Sequence, residues 1–272
     1  MTVIILGSEG QLGRELKKIV PNSIALNHSD AGIDLSSSGE AIAERILSYN
    51  PDVIINASAM TNVDKCETDK KLALKINGLS LKYIARAAHS AGAYLIHIST
   101  DYVFDGKEGN YKEDSLPNPI NYYGLSKLIG EVYANSYHKS LIIRTSGVFG
   151  HSSNFPKFAF DTLRSGKKLS VLDGYYSPIH ALHLASSIYE ILNVQPIGVL
   201  NIAGERISRF MLAIKLCEIF GFNQELIHKS PQGLNIKAKR PFDSSLNIEK
   251  AEELINYHFH DIESGLKLLA KQ

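Results

Sequence analysis

The 272-residue chain has no tryptophan, three methionines and two cysteines, Cys66 and Cys217. Two cysteines in a chain of this length do not make a disulfide framework, so a reducing cytoplasm is the expected compartment. No stretch approaches the roughly 20 apolar residues of a membrane-spanning helix. The opening run Met1-Thr2-Val3-Ile4-Ile5-Leu6 is short and soon broken by Gly7 and Glu9, which argues against a signal peptide. An excess of one charge is missing too. The formal net charge is +1 and no long basic run occurs, which excludes nucleic acid and membrane surfaces as expected partners. There is no internal repeat and no low-complexity tract. What is present is 44% hydrophobic and 21% charged, enough to bury a full core in one large domain or two unequal parts.

Short apolar runs alternate with helical patterns. The strand candidates are residues 3–6, 23–26, 53–57, 94–99, 141–144 and 199–202. Several are apolar throughout, as expected where helices cover both faces of a sheet. Between them Leu12, Leu16, Ile19 and Val20 recur at helical spacing. So do Ile42, Ile46 and Tyr49, then Leu72, Ile76, Leu79, Tyr83 and Ile84, then Leu125, Leu128, Ile129 and Val132. This alternation predicts an α/β fold with a doubly wound parallel sheet of Rossmann type. The rhythm loosens after Arg144. We expect a dinucleotide-binding domain over 1–146, with a returning segment near 180–204. A smaller, mainly helical substrate lobe is expected from 147–179 and 205–272.

Gly7-Ser8-Glu9-Gly10-Gln11-Leu12-Gly13 ends the first strand candidate and opens the first helix. Glycines there permit a tight turn and a close backbone approach to a pyrophosphate, which then sits at the positive helix N-terminus. The competing reading is a turn kept only for strand–helix packing. The second strand ends in Leu26-Asn27-His28-Ser29, with no carboxylate before Asp30. That leans toward NADP(H), with Asn27, His28, Ser29 and Arg14 near the extra phosphate, and NAD(H) as the alternative. Plain loop polarity is nearly as good an account of these residues. Asp34-Leu35 follows, placed either for the adenine amine or for a helix cap.

Thr100 ends a strand candidate in the run Ser99-Thr100-Asp101-Tyr102, and Tyr123-Gly124-Leu125-Ser126-Lys127 opens a helix. A tyrosine followed four residues later by lysine means little alone, since 13 tyrosines make about one such pair expected by chance. Context lifts it. Residues four apart share a helix face. An ammonium beside a phenol lowers its pKa, so that Tyr123 can protonate a carbonyl oxygen as hydride arrives. Thr100 would hydrogen-bond the same oxygen. The irregular stretch between Asp101 and Asn121 reads as a functional loop.

These segments resemble the extended short-chain dehydrogenase/reductases, in particular the branch acting on nucleotide-linked sugars, nearly end to end. The likeness rests on the glycine turn, on Asn56-Ala57-Ser58-Ala59-Met60-Thr61-Asn62-Val63-Asp64 through Glu67, on Ser99 through Gly106, and on Tyr123 through Glu131. It continues in Arg144-Thr145-Ser146, Ser177-Pro178 and Arg240-Pro241 with Ser244-Ser245-Leu246. The resemblance implies NADPH- or NADH-dependent reduction of the ketone of a nucleotide-linked 4-keto-6-deoxy sugar, dTDP-4-dehydrorhamnose to dTDP-rhamnose. It implies Thr100, Tyr123 and Lys127 as the catalytic set, with Lys127 also on the nicotinamide ribose. Ala57, Ser58 and Ala59 would line the cofactor, and Thr61, Val63 and Tyr102 would face the sugar. Arg240 would hold the diphosphate, whose oxygens suit its fork of donors. A homodimer is compatible with the family.

The same family also contains non-catalytic NADP-binding regulatory subunits of methionine adenosyltransferase, and sugar-nucleotide epimerases; these are the alternatives. Three positions depart from the pattern. Gly147 stands where the family usually has tryptophan, which removes an aromatic wall beside the sugar. Met60 and Ile179 also differ from the common residues. His180, His183, His258 and His260 lack zinc-ligand spacing and read as surface or packing residues, with no metal expected. Cys66 reads as a small buried residue rather than a nucleophile.

Overall fold

The computed structural model describes residues 1–28, 32–151, 154–230, 237–255 and 261–271. The strands are β1 (Val3–Leu6), β2 (Ile24–Leu26), β3 (Val53–Asn56), β4 (Tyr94–Thr100) and β5 (Ser140–Thr145). Then follow β6 (Leu169–Val171), β7 (Tyr175–Tyr176), β8 (Gly198–Asn201), β9 (Ile207–Ser208) and β10 (Ile227–Lys229). Helices α1 (Gln11–Ile19), α2 (Gly39–Leu47), α3 (Val63–Thr68), α4 (Lys70–Ala73), α5 (Ser80–Ala91) and α6 (Tyr122–Asn135) interleave with the first five strands. The chain continues through α7 (Phe155–Arg164), α8 (Ala181–Val194), α9 (Arg209–Phe220), α10 (Glu249–Leu254) and α11 (Ile262–Leu268).

Six strands form one parallel sheet in the order β2-β1-β3-β4-β5-β8. Side chains alternate across it, so each apolar strand feeds two cores. Val3, Ile5, Ile55, Ile96 and Ile143 pack on Leu16 of α1 and Leu184 and Ile188 of α8. Ile4, Leu6, Ile54, Leu95 and Ile142 pack on Ile42 and Ile46 of α2 and Leu81 and Ile84 of α5. The fold is thus the expected doubly wound α/β sheet. A third core gathers Phe149, Phe160, Leu169, Val171, Leu212, Leu216 and Leu266 around α7, α9 and α11, with β6 paired to β10 and β7 to β9.

β1 has β2 on one side and β3 on the other, so the winding reverses there. Ligands of open α/β sheets bind beyond the carboxyl ends of the strands at such a point. The helix expected through Leu72 to Ile84 is not regular. α4 runs into a π-helical turn, Leu74–Leu79, before α5 begins. Asn77 in that turn is buried. It accepts from the Met60 amide at 2.8 Å and donates to the Met60 carbonyl at 3.1 Å and to the Ser126 hydroxyl at 3.0 Å. Widened turns of this kind occur often at functional sites.

Candidate active site

A cleft of about 970 Å³ opens along the carboxyl edge of the sheet, between it and the third core. Its floor begins at the glycine turn. Gly7 has φ +80°, and a Cβ there would lie 2.7 Å from the Ser58 hydroxyl. A Cβ on Gly13 would lie 2.2 Å from the Gly7 carbonyl oxygen, so α1 can sit this close to β1 only without a side chain at 13. The α1 N-cap is Gly10, which offers no side-chain acceptor to the first-turn amides. Those N–H groups and the positive end of the helix therefore face the cleft. This arrangement fits a pyrophosphate.

Gly7, Gly10, Gln11, Leu12, Asn27, His28, Asp34, Leu35, Ala57, Ser58 and Ala59 line the cleft, while Gly13 lies beneath the turn. Asp34 opposes His28 Nδ1 at 3.6 Å. Burial works against its charge, but the Ser36 hydroxyl and amide hold the carboxyl below its ordinary pKa. Ser29 lies outside the described residues. Arg14 turns to Glu9, donating to its carbonyl at 2.9 Å and lying 3.4 Å from its carboxylate.

Thr100, Tyr102, Tyr123 and Lys127 all line the same cleft. The first turn of α6 is fixed by Asn121, which caps the Gly124 amide at 2.9 Å, and by Glu67, which accepts from the Tyr122 amide at 2.6 Å. Gly124 is needed for contact, since a Cβ would lie 2.0 Å from the Tyr102 carbonyl. The Tyr102 and Tyr123 rings meet edge to face at 5.9 Å. Burial pushes the Tyr123 phenol above its ordinary pKa, and the neighbouring Thr100 hydroxyl pulls it partly back. The expected lowering of the phenol by Lys127 is therefore not what this structure shows. The Lys127 amine is buried and donates to the Ile98 carbonyl at 2.6 Å.

His97 explains part of the lysine's state. The Asn56 side chain is oriented by its oxygen, which accepts from the Ser58 amide at 3.1 Å. Its Nδ2 then faces His97 Nδ1 at 3.3 Å and can only donate. Nδ1 must accept, so the ring proton sits on Nε2, which faces Lys127 Nζ at 3.4 Å. Two donors confront each other there unless the amine is neutral. Burial lowers the Lys127 pKa to about 8, against the opposing pull of Glu131. Burial, then Lys127, keeps His97 well below its ordinary value.

The helix carrying Tyr123 and Lys127 is tied to β5 by a buried ion pair. Arg144 Nη2 lies 2.8 Å from Glu131 Oε2 and Arg144 Nε 3.1 Å from Oε1, both side chains being 5% exposed.

Of the residues expected on the sugar side, Thr61, Val63 and Tyr102 line the cleft. Arg240 pairs with Asp64 at 3.0 Å and donates to the Ala238 carbonyl at 2.9 Å. Sequence reasoning missed Asn77, Tyr176 and Arg209. Tyr176 and Arg209 line the cleft, the guanidinium 4.7 Å above the Tyr176 ring. The space expected beside Gly147 is occupied: a Cβ on Gly147 would lie 2.7 Å from Tyr176 Cε2. A tyrosine after Tyr175 and before Ser177 gave no signal in the sequence, because the two segments, far apart along the chain, meet only in the fold, where the Ser177 amide donates to the Ser146 hydroxyl at 3.2 Å. Cys66 is buried, and burial pushes its thiol up to about 11. His180 caps α8, its Nδ1 accepting from the Leu182 amide at 3.1 Å. Among the described residues no cluster of three or more His, Cys, Asp or Glu could hold a metal, and no helix is long and apolar enough to cross a membrane. His258 and His260 lie outside the described residues.

A glycine turn at a switch point and a hydroxyl, phenol and amine grouped beyond β4 make the architecture of a short-chain dehydrogenase/reductase. A sequence model of the RmlD substrate binding domain matches residues 1–272. The chain is 38% identical to a dTDP-4-dehydrorhamnose reductase of Salmonella typhimurium over 202 residues, 71% of this chain and 68% of that one. A solved structure, a hypothetical dTDP-4-dehydrorhamnose reductase from Sulfolobus tokodaii, is 44% identical with TM-score 0.90, covering 96% of this chain and 97% of that one. Another, a dTDP-4-dehydrorhamnose reductase from Bacillus anthracis in complex with NADP, is 26% identical with TM-score 0.89, covering 100% and 99%. The chain belongs to the RmlD substrate binding domain family, within the extended short-chain dehydrogenase/reductases, and is an NAD(P)H-dependent oxidoreductase.

Proposed function

We propose that the protein reduces the 4-keto group of a nucleotide-linked 6-deoxy sugar with NADPH, converting dTDP-4-dehydrorhamnose to dTDP-rhamnose in the cytoplasm. The carrying observation is that Thr100, Tyr123 and Lys127 share one cleft with the uncapped N-terminus of α1. The named reductases among its relatives, one of them holding NADP, support the substrate and the cofactor. NADH is the second cofactor, since the Asp34 carboxylate lines the cleft beside His28, where it could accept from a ribose hydroxyl. Residues 1–146 with the segment near 180–204 form the dinucleotide domain, and 147–179 with 205–272 the substrate lobe.

The first-turn amides of α1 hold the pyrophosphate, with Gly7, Gly10, Gln11, Leu12 and Gly13 shaping the cradle. Asn27 and His28 face the ribose phosphate, and Asp34 and Leu35 the adenine. Ala57, Ser58 and Ala59 flank the nicotinamide end. Bound NADPH supplies the hydride. Tyr123 donates its phenolic proton to the ketone oxygen, and its raised pKa keeps that proton in place at neutral pH. Thr100 orients the phenol and the ketone oxygen together. Lys127 would hold the nicotinamide ribose, and the Tyr123 phenolate left by the transfer recovers its proton from solvent. Thr61, Val63 and Tyr102 face the sugar, and Arg240, shared with Asp64, stands toward the diphosphate.

The test is NADPH consumption with dTDP-4-dehydrorhamnose. We expect stoichiometric oxidation and dTDP-rhamnose as product. A tightly held cofactor with no net oxidation marks an epimerase. NADP binding without turnover, together with co-purification of a synthetase, marks a regulatory subunit.

A further inference from the structure

The sugar side of the cleft contains a polar atom that the protein itself leaves unsatisfied. Tyr176 is 5% exposed, and its hydroxyl has no hydrogen-bond partner. Buried polar groups are nearly always paired, because an unpaired one forfeits its hydration with nothing in return. β7 explains where this one points. It pairs antiparallel with β9, Tyr176 opposite Ile207, and its two side chains leave on opposite faces. Tyr175 goes outward to Arg206, 3.8 Å from its ring, and Tyr176 goes into the cleft.

The ring is held by two features. Arg209 lies over it at 4.7 Å, a cation–π contact. Gly147 makes room for it: φ is +46°, and a Cβ would stand 2.7 Å from Cε2 and 2.8 Å from Cδ2. The hydroxyl of Thr145, at the end of β5, is likewise buried and unpartnered in the same cleft. Burial raises the Tyr176 phenol, so it stays protonated and can donate at neutral pH.

We propose that Tyr176 is a specificity-determining residue whose phenol hydrogen-bonds a hydroxyl of the hexose in a bound sugar nucleotide. This rests on the sugar-nucleotide reading above. The ring, seated against Gly147 and under Arg209, supplies the apolar wall on which the hexose packs. The same phenol rejects sugars that leave it unpaired, because polar sites discriminate chiefly through the group left unsatisfied.

The experiment compares binding of dTDP-rhamnose and of dTDP, which lacks the hexose, to the NADP-loaded protein and its Tyr176→Phe variant by calorimetry. Phenylalanine keeps the ring and removes only the hydroxyl. We expect dTDP-rhamnose to bind about tenfold more weakly to the variant while dTDP binds equally, the loss of roughly one hydrogen bond. A structural defect would weaken both ligands, and equal affinity for dTDP-rhamnose would overturn the inference. Wild-type protein that binds dTDP-rhamnose no better than dTDP would also overturn it. Turnover is measured separately: if dTDP-rhamnose binds as expected but NADPH is not consumed, the reductase reading fails and the Tyr176 contact stands.

Discussion

The two walls of the cleft are built differently. On the sheet side the chemical groups already have partners: Lys127 has the Ile98 carbonyl, Thr100 has Asp101 at 3.1 Å, and Asn77 joins the Met60 loop to α6. On the lobe side Tyr176 presents a buried hydroxyl with none, as Thr145 does where β5 ends against it. A wall that is satisfied in advance has little to rearrange at the moment of reaction, which is what preorganised catalysis requires. A wall with unsatisfied groups gains most when the ligand arrives, which is what selection requires. Asp101 joins the two. Its buried carboxylate accepts from Ser146 at 2.7 Å and from Ser244 of the lobe at 2.6 Å.

The strongest way to break this contrast is at Tyr123. Tyr123→Phe should bind NADPH normally and lower kcat by about 10²–10⁴-fold, the usual contribution of a general acid. Near wild-type turnover in steady-state assays would remove Tyr123 from the chemistry and make the ordered wall merely structural.

Next is the frame of that wall. Arg144→Ala strands Glu131 as a buried, half-partnered carboxylate, a change that costs about 3–5 kcal/mol. Denaturant unfolding should show this loss, with activity falling because α6 is no longer tied to β5. A replacement of both partners by Met and Leu should recover much of the stability. If single and double variants unfold alike, the pair does not set the position of α6.

How much of this was legible before the fold was known divides along the same line. The sheet, the glycine turn and the grouping of Thr100 with Tyr123 follow from local periodicity and from strand–helix succession. The π-helical turn was hidden because its apolar residues still fit a helical pattern, and only the buried contacts of Asn77 widen it. Gly147 read as an empty place because its filler lies in β7, and no local pattern couples the two segments. Arg240 was expected on the diphosphate without its ion pair to Asp64, because that partner is far away in sequence. Tertiary pairing, not propensity, decided each of these.

Lys127 gives a smaller, pH-dependent effect. Its folded pKa is about 8 against an ordinary 10.5, so it is depressed. Between these values the unfolded chain binds more protons than the folded one, and stability rises with pH. Below pH 8 both states are protonated and the cost of the buried charge is fully felt. Relative to Lys127→Met, wild type should therefore gain roughly 1–3 kcal/mol as pH rises from about 8 to about 10.5. Parallel urea-unfolding curves at several pH values check this. A difference that stays flat over that window would mean that the amine is an ordinary ammonium and that His97 does not constrain it.

The mildest test concerns the lobe wall itself. Gly147→Ala places a Cβ at φ +46° and against the Tyr176 ring, two separate penalties. The backbone term alone is about 1–2 kcal/mol for a non-glycine residue in the left-handed region. The steric term depends on whether Tyr176 is present, so a double-mutant cycle separates the two. In the Tyr176→Ala background the Gly147→Ala cost should shrink to the backbone term, because the atoms at 2.7 and 2.8 Å are gone. If the cost is the same in both backgrounds, the ring yields freely and Gly147 serves only its turn. A smaller cost without the ring would show that glycine at 147 and tyrosine at 176 are one feature: the aromatic wall is moved from one segment to another, and its hydroxyl is brought with it.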